Sequence, residues 1–280
     1  MTKKAKNAIT VILVLAIIMG MIAFAANTVR GLIGTTANNI NTVVPDNVTP
    51  AFSLKGKSVS FLGDSISTYE GWSNNTGHNS SLGNNATKYN NTIMNVNSTW
   101  WKQTINELQL SLCVNNSCDA GRVTNTKLNL PNGFDRAGQL HRDNSMQPDI
   151  IIVYLGTNDL GNKCELGSLS EYTINYFIPA YDLMLCNIVS QYPGADVFVC
   201  TLLPEGRNTE DKLIEYNAAI KQLAALHKVN VIDLYADSGI NRTNYLQYVI
   251  NEGNLTVHPN EDGMDLIADC VVKALIKFYE

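Results

Sequence analysis

The residues in this sequence best suited to chemistry stand in two short turns, each directly after a run of strand-forming residues. Positions 63–65 (GDS) follow SVSFL, and positions 156–159 (GTND) follow PDIIIVYL. A serine hydroxyl attacks a carbonyl carbon once a base removes its proton, and the resulting oxyanion needs N–H donors about 2.7–3.1 Å away. The pattern therefore predicts Ser65 as a nucleophile and the Asn158 side-chain amide as an oxyanion donor.

A base and a further donor are needed to complete such a site. Of the four histidines, only His258 stands in a segment, VHPNEDGM, that has the pattern of a turn leading into a helix. The segment 119–124, DAGRVT, offers a backbone N–H beside a small residue that would let a substrate approach. Each turn alone is common as a plain turn or a helix cap. Their joint occurrence at strand ends favours a catalytic interpretation.

These turns need a scaffold, and the chain alternates short apolar runs with longer amphipathic stretches. The predicted strands are 57–63, 111–117, 148–156, 195–204 and 229–235, and the predicted helices are 98–110, 170–192, 209–228 and 261–280. This alternation predicts an α/β fold, a doubly wound parallel sheet with helices on both faces, in one domain at 56–280. Such sheets bind ligands beyond the carboxyl ends of their strands, where both turns fall.

Composition narrows the class of protein. With 45% hydrophobic and 16% charged residues the chain has enough apolar material for a large core and too little charge for a disordered chain. A net charge of -5 without a basic stripe argues against a nucleic-acid partner. Cysteine and histidine spacing matches no zinc site, so we expect neither metal nor cofactor.

The first 30 residues have the pattern of a membrane-targeting segment. Three lysines precede an uncharged apolar run at 8–26, close to the length that spans a bilayer, and a small-x-small pattern at 23–25 also suits signal-peptide cleavage. Residues 1–30 are thus predicted to be an anchor helix or a signal peptide, with 31–55 as a stalk and the remainder exported.

Export permits disulfides, so the six cysteines allow two interpretations. The spacing of Cys113 and Cys118 would allow them to close a small loop, whereas Cys200 and Cys270 have the pattern of core thiols. Two side chains near the predicted turns are candidates for substrate contact. They are Trp72, as a pocket wall close to Ser65, and Arg122, near the oxyanion donors.

Three blocks of this sequence resemble those of the SGNH or GDSL hydrolases. FLGDSIS is similar to the nucleophile block of that family, YLGTND to its oxyanion block and HPNEDGM to its histidine block. The stretches STWWKQTI and LCVNNSCDAGRVTNT extend the resemblance to an exported bacterial subgroup, over about residues 56–280. The resemblance implies a flavodoxin-like three-layer α/β/α fold. It also implies Ser65 as nucleophile, His258 as base, and an oxyanion hole made by the Ser65 N–H, a glycine N–H and the Asn158 amide.

The sequence departs from the family pattern at two places. The glycine donor is assigned to Gly121, with Ala120 as the alternative, because the small residue of the subgroup aligns one position earlier. The family also has an aspartate three residues before the histidine, where this chain has Leu255. We expect Asn254 to accept the hydrogen bond from the imidazole instead, with Glu252 or a main-chain carbonyl as alternatives.

Together these expectations describe an exported serine esterase that acts on short acyl esters, acetyl esters among them, carried by glycans. The substrate follows from the resemblance and the compartment rather than from particular residues. Two alternatives stay open at this stage. One is acyl transfer onto a glycan through the same acyl-serine, and the other is a glycan-binding module whose triad has degraded.

Overall fold

The computed structural model describes residues 54–69, 95–125, 132–142, 146–251 and 256–280, all within the unit Pro50–Glu280. The predicted segment 1–30 and nearly all of the predicted stalk lie outside these residues, so both stay predictions. Within the described ranges, no helix has the length and apolar character needed to cross a bilayer.

Five parallel strands form one sheet in the order β2-β1-β3-β4-β5. The strands are β1 Ser58–Gly63, β2 Ser111–Ser117, β3 Ile150–Tyr154, β4 Asp196–Cys200 and β5 Asn230–Ile232. β1 and β3 lie at the centre and are buried at every position, as expected for near-continuous apolar runs. Gly63 pairs with Ser117 on one side and Tyr154 on the other, so the carboxyl ends of three strands meet. The predicted parallel sheet is confirmed.

Two groups of helices flank the sheet. The helices are α1 Trp100–Leu108, α2 Gly133–Ala137, α3 Thr157–Gly161, α4 Phe177–Gln191, α5 Glu210–His227, α6 Leu234–Asp237 and α7 Glu261–Tyr279. α1 packs on α7, and Trp100 meets Phe61 of β1 edge to face at 5.4 Å. α2 and α5 both pack on α4. Because β1 and β3 are buried on both faces, these two groups close the core.

The helix boundaries show which local signals were sufficient. Thr209 caps α5 and Asn260 caps α7, each by accepting a hydrogen bond from the first helical turn, close to the predicted starts. The predicted helix 170–192 begins at Phe177 instead. Pro179 then lies in the first turn, where its missing N–H leaves no helical bond unmade. The short helices α2, α3 and α6 were not predicted.

The proposed Cys113–Cys118 loop is wrong. All six cysteines lie in the described ranges and all are free. Cys113 is part of the extended strand β2 and Cys118 follows its end, so the five intervening steps, at about 3.3 Å each, separate the two thiols too far for a disulfide. Cys200 and Cys270 are buried, as predicted for core thiols.

Candidate active site

Ser65 stands in a tight turn at the carboxyl end of the central strand β1. The strand ends at Gly63, and Ser65 begins a single 3₁₀ turn whose cap is Asp64, with Asp64 Oδ1 accepting from Ile66 N at 3.0 Å. A Cβ at position 63 would lie 2.5 Å from the Ser67 hydroxyl oxygen. Glycine is therefore required for the turn to fold back this tightly, and the turn holds a nearly buried Ser65 at the strand tip.

His258 meets Ser65 although 193 residues separate them. The Nε2 atom of His258 lies 2.9 Å from Ser65 Oγ. His258 is held between two backbone contacts: its carbonyl accepts from Ile250 N at 2.8 Å, and Pro259 forms an isolated bridge with Val249. Asn260 then caps α7 directly. The structure thus places the predicted base within hydrogen-bond distance of the predicted nucleophile.

The residues expected to orient the imidazole lie outside the described residues. Asn254 and its alternative Glu252 fall in the interval 252–255, as does Leu255, which stands where the family has its aspartate. The role of Asn254 therefore stays a prediction. Trp72, the expected pocket wall, also lies outside the described residues.

Asn158 lies in α3, directly beyond the end of β3. Gly156 makes the connection at φ +129°, a conformation that favours glycine. The Asn158 amide is held at both ends: its Nδ2 donates to the Gly121 carbonyl at 3.1 Å, and its Oδ1 accepts from Arg207 Nη1 at 3.4 Å. Because an arginine only donates and a carbonyl only accepts, these partners determine which end of the amide is nitrogen. Nδ2 carries a second N–H beyond the one given to Gly121.

Gly121 is brought to Asn158 through its carbonyl oxygen. Its N–H donates to the Cys118 carbonyl at 3.1 Å and closes the 118–121 turn. The rival donor, Ala120, has φ +54° and its N–H bonds to the Asp119 carboxylate at 2.9 Å. A Cβ at 121 would lie 2.9 Å from the Cys118 carbonyl oxygen, so the turn requires glycine there. The oxyanion role of the Gly121 N–H stays a prediction.

Arg122 is half-buried beside Asp159, the neighbour of Asn158 in the chain. Burial raises the pKa of Asp159, while hydrogen bonds from residues 123 and 124 and the charge of Arg122 oppose that rise. Asp159 accepts from Val123 N at 2.9 Å and from the Thr124 hydroxyl at 2.6 Å. It therefore ties the segment after β2 to α3. The sequence indicated only a helix cap at this position.

Within the described ranges, no group of histidine, cysteine, aspartate and glutamate side chains is suited to hold a metal ion. The candidate chemistry lies instead in the Ser65–His258 pair and the neighbouring amides. The family described as GDSL-like lipase/acylhydrolase matches residues 57–275, most of the chain. The chain belongs to this family.

Solved structures similar to this GDSL-like chain support the same fold. A Bacteroides ovatus protein described as a GDSL-like lipase is 23% identical, covering 80% of this chain and 99% of its own, with a TM-score of 0.59. A Lactobacillus plantarum protein is 19% identical over 81% of this chain and 99% of its own, with a TM-score of 0.62. A carbohydrate esterase family 3 protein from Talaromyces cellulolyticus is 16% identical over 80% and 98%, with a TM-score of 0.52. No curated protein matches the chain.

Asp64, in the GDS turn, is joined in this GDSL-like site by two arginines that the sequence analysis missed. Burial raises the pKa of Asp64 to about 7, against the opposing effects of the Ile66 N–H and of the Arg136 and Arg207 charges. Arg136 is fully buried, and Arg207 pairs with Glu205 at 2.6 Å. No motif marks Arg136 or Arg207, because their roles depend on contacts with distant segments.

Arg207 also lines a cavity of about 380 Å³ between α3 and α5. The buried side chains of Leu160 and Tyr216 line this cavity, as does Cys164. A Cβ at position 161 would lie 2.5 Å from the guanidinium carbon of Arg207. The absence of a side chain at Gly161 is thus what allows Arg207 to lie over α3 and reach Asn158.

Proposed function

We propose that this protein is a serine esterase that hydrolyses O-acyl esters through an acyl-Ser65 intermediate. The observation that carries the proposal is the 2.9 Å contact between Ser65 Oγ and His258 Nε2 at the carboxyl edge of the sheet. Membership of a lipase/acylhydrolase family supports ester hydrolysis as the reaction class.

In the proposed reaction, Ser65 Oγ bonds to the ester carbonyl carbon while its proton passes to His258 Nε2. His258 then gives this proton to the departing alcohol, and the acyl group stays on Ser65. A water molecule attacks the acyl-serine and gives a proton to His258. Ser65 recovers that proton as the carboxylic acid leaves, so protons balance over the cycle.

The oxyanion would be stabilised by backbone and side-chain amides already present at the strand ends. The backbone N–H of Ser65 and the second N–H of Asn158 Nδ2 are the proposed donors, with Gly121 N–H as a third if the 118–121 turn opens. We further propose that Asn254 accepts the imidazole Nδ1 proton in place of the aspartate that the family pattern has at 255. An asparagine orients the ring without stabilising its charge as a carboxylate would.

For the substrate, we propose short acyl esters on glycans, reached by an exported domain behind the apolar segment 1–30. The fold is shared with the carbohydrate esterase family 3 protein from Talaromyces cellulolyticus, which supports a sugar-linked ester as the first class to test. Export and membrane anchoring rest on the lysines and apolar run of the N-terminal sequence.

The decisive experiment measures hydrolysis of p-nitrophenyl acetate by the wild type, Ser65→Ala and Ser67→Ala. Ser67 is the matched control, because it lies in the same 3₁₀ turn and its buried Oγ has no hydrogen-bond partner among the described residues. We expect loss of turnover in Ser65→Ala alone. Equal rates in the wild type and Ser65→Ala would reject the esterase, and equal rates are what a non-catalytic binding module predicts. A wild-type rate that rises when glycan is added would indicate acyl transfer to the glycan.

The role of Asn254 needs its own comparison. Asn254→Ala should lower kcat, and Asn254→Asp should restore or exceed it, because a carboxylate both orients and stabilises the imidazolium. If neither variant differs from the wild type, another group orients His258.

A further inference from the structure

A buried arginine lies beneath the two turns of the candidate site. Arg136, in the short helix α2, has 0% of its surface exposed. Arginine is almost never fully buried unless it is paired. Within the described part of the chain, Arg136 makes no ion pair, and its Nε and Nη2 make no hydrogen bond. An unpaired buried charge is unfavourable for folding, so its position calls for a functional explanation.

The one engaged nitrogen of Arg136 holds the ends of two strands. Nη1 donates to the Gly63 carbonyl at 2.7 Å and to the Asn116 carbonyl at 2.9 Å. The Gly63 carbonyl also accepts from Cys118 N at 3.4 Å. In return, Asn116 Nδ2 donates to the Arg136 carbonyl at 3.0 Å. A single guanidinium therefore fixes the start of the Ser65 turn and the start of the 118–121 turn.

The rest of the guanidinium faces the same region. Arg136 Nη2 lies 3.1 Å from the position that a Cβ of residue 121 would occupy, so it packs against Gly121. Its charge also reaches Asp64. Burial raises the pKa of Asp64 to about 7, and the Ile66 N–H and then Arg136 oppose that rise. A positive charge is thus held next to both turns without a hydrogen-bonded carboxylate to neutralise it.

We propose that Arg136 is a positioning residue for acyl transfer at Ser65, an inference that rests on the proposed esterase function. Its Nη1 holds the Gly63 and Asn116 carbonyls, so the peptide groups entering both turns keep one orientation. Its charge makes a positive contribution to the electrostatic potential at these turns, which the Asp64 carboxyl offsets only in the fraction that is ionised. A positive potential favours the oxyanion over the neutral ester, so Arg136 stabilises the tetrahedral intermediate more than the bound substrate.

The test compares Arg136→Met and Arg136→Lys with the control Arg142→Met. Arg142 also donates to a β2 carbonyl, that of Leu112 at 3.4 Å, but near the amino end of the strand. Active sites are titrated with a p-nitrophenyl phosphonate, and kcat per titrated site and KM are then measured on p-nitrophenyl acetate. We expect kcat per titrated site to fall on the order of 10²-fold in Arg136→Met and about tenfold in Arg136→Lys, while KM stays nearly unchanged in both. The kcat per site of Arg142→Met should stay near that of the wild type.

A purely structural role predicts a different result. It would lower the titrated fraction and the melting temperature while leaving kcat per titrated site at the wild-type value, and that result overturns the proposal. If Arg136→Met does not fold, the result for Arg136→Lys is used instead. A kcat per titrated site in Arg136→Lys within about twofold of the wild type would also overturn the proposal. Ser65→Ala separates the two proposals. Full activity in that variant rejects the esterase itself. If Ser65→Ala is inactive while the Arg136 variants keep the wild-type kcat per site, only the role of Arg136 is rejected.

Discussion

Replacing Gly263 by alanine tests whether the first turn of α7 sets the position of His258. Gly263 packs directly on the Tyr248 carbonyl, and an added Cβ would overlap that oxygen and lie 3.0 Å from the Pro259 Cβ. The Tyr248 carbonyl also accepts from Asn260 N at 2.9 Å. The overlap therefore forces apart the two segments that hold His258.

The size of the effect follows from the contacts. An ordinary C···O contact needs the Cβ and the Tyr248 oxygen to separate by about 1 Å more. If the histidine segment takes up that displacement, the 2.9 Å contact between Ser65 Oγ and His258 Nε2 lengthens beyond hydrogen-bond range. A displacement of about 1 Å costs on the order of 10²-fold in rate, or about 2.7 kcal/mol of activation free energy. Overpacking should lower the free energy of unfolding by about 1–3 kcal/mol. Alanine favours a helix over glycine by about 1 kcal/mol, so the net loss of stability is at most about 2 kcal/mol.

The assay compares kcat/KM for ester hydrolysis and the melting temperature of Gly263→Ala with those of Gly194→Ala. Gly194 is the matched control, because a Cβ there meets no described atom within 4 Å. We expect Gly263→Ala to remain folded and to lose about two orders of magnitude in kcat/KM, and Gly194→Ala to behave as the wild type. A folded Gly263→Ala with kcat/KM within about threefold of the wild type would refute the reasoning, since His258 would then be placed independently of α7.

Asp64→Asn should flatten the pH dependence of stability. Burial raises the folded-state pKa of Asp64 to about 7 from 3.8. The protonated carboxyl therefore contributes fully to stability below about pH 4, and this contribution is lost as pH rises to about 7. The free energy of unfolding changes by about 4 kcal/mol over this range. Melting curves from pH 4 to 8 should show Asp64→Asn gaining on the wild type as pH rises, and a constant difference would argue against this titration. Asn158→Ala should lower kcat about 10²–10³-fold with KM little changed, as loss of an oxyanion donor does. Arg207→Lys should lower kcat less, by about tenfold, because Arg207 orients the Asn158 oxygen without meeting the substrate. Steady-state kinetics of both variants measure these two losses of kcat. A larger loss in Arg207→Lys than in Asn158→Ala would contradict the assigned roles.

The elements that the sequence predicted well are those with a local physical cause. The apolar runs of β1 and β3 are long enough to be buried on both faces, so their pattern is readable without knowing their neighbours. Thr209 and Asn260 cap their helices through contacts within a few residues, which the sequence also displays. Local signals failed at 170–176, where the polar and aromatic stretch SEYTINY lies before the helix that begins at Phe177 and is not part of it.

The features that were missed depend on segments far apart in the chain. Arg136 has the sequence context of an ordinary surface residue, yet α2 packs it under the ends of β1 and β2. The predicted Gly121 donor has the expected neighbour, Asn158, but presents its carbonyl because the 118–121 turn uses its N–H. The separation of Cys113 from Cys118 likewise followed from the extended course of β2, which pairs with β1 from Ser111 to Ser117.

The sequence by itself determined the parallel α/β architecture, the strand-end turns that carry Ser65 and Asn158, and the family. It did so because the periodicity of buried residues and the residue preferences of turns can both be recognised from consecutive residues. Only the tertiary structure decided that His258 meets Ser65 at 2.9 Å, that Asn158 is held between Gly121 and Arg207, and that Arg136 is buried beneath both turns. Those distances depend on strand order and helix packing, which bring together residues that no local pattern connects.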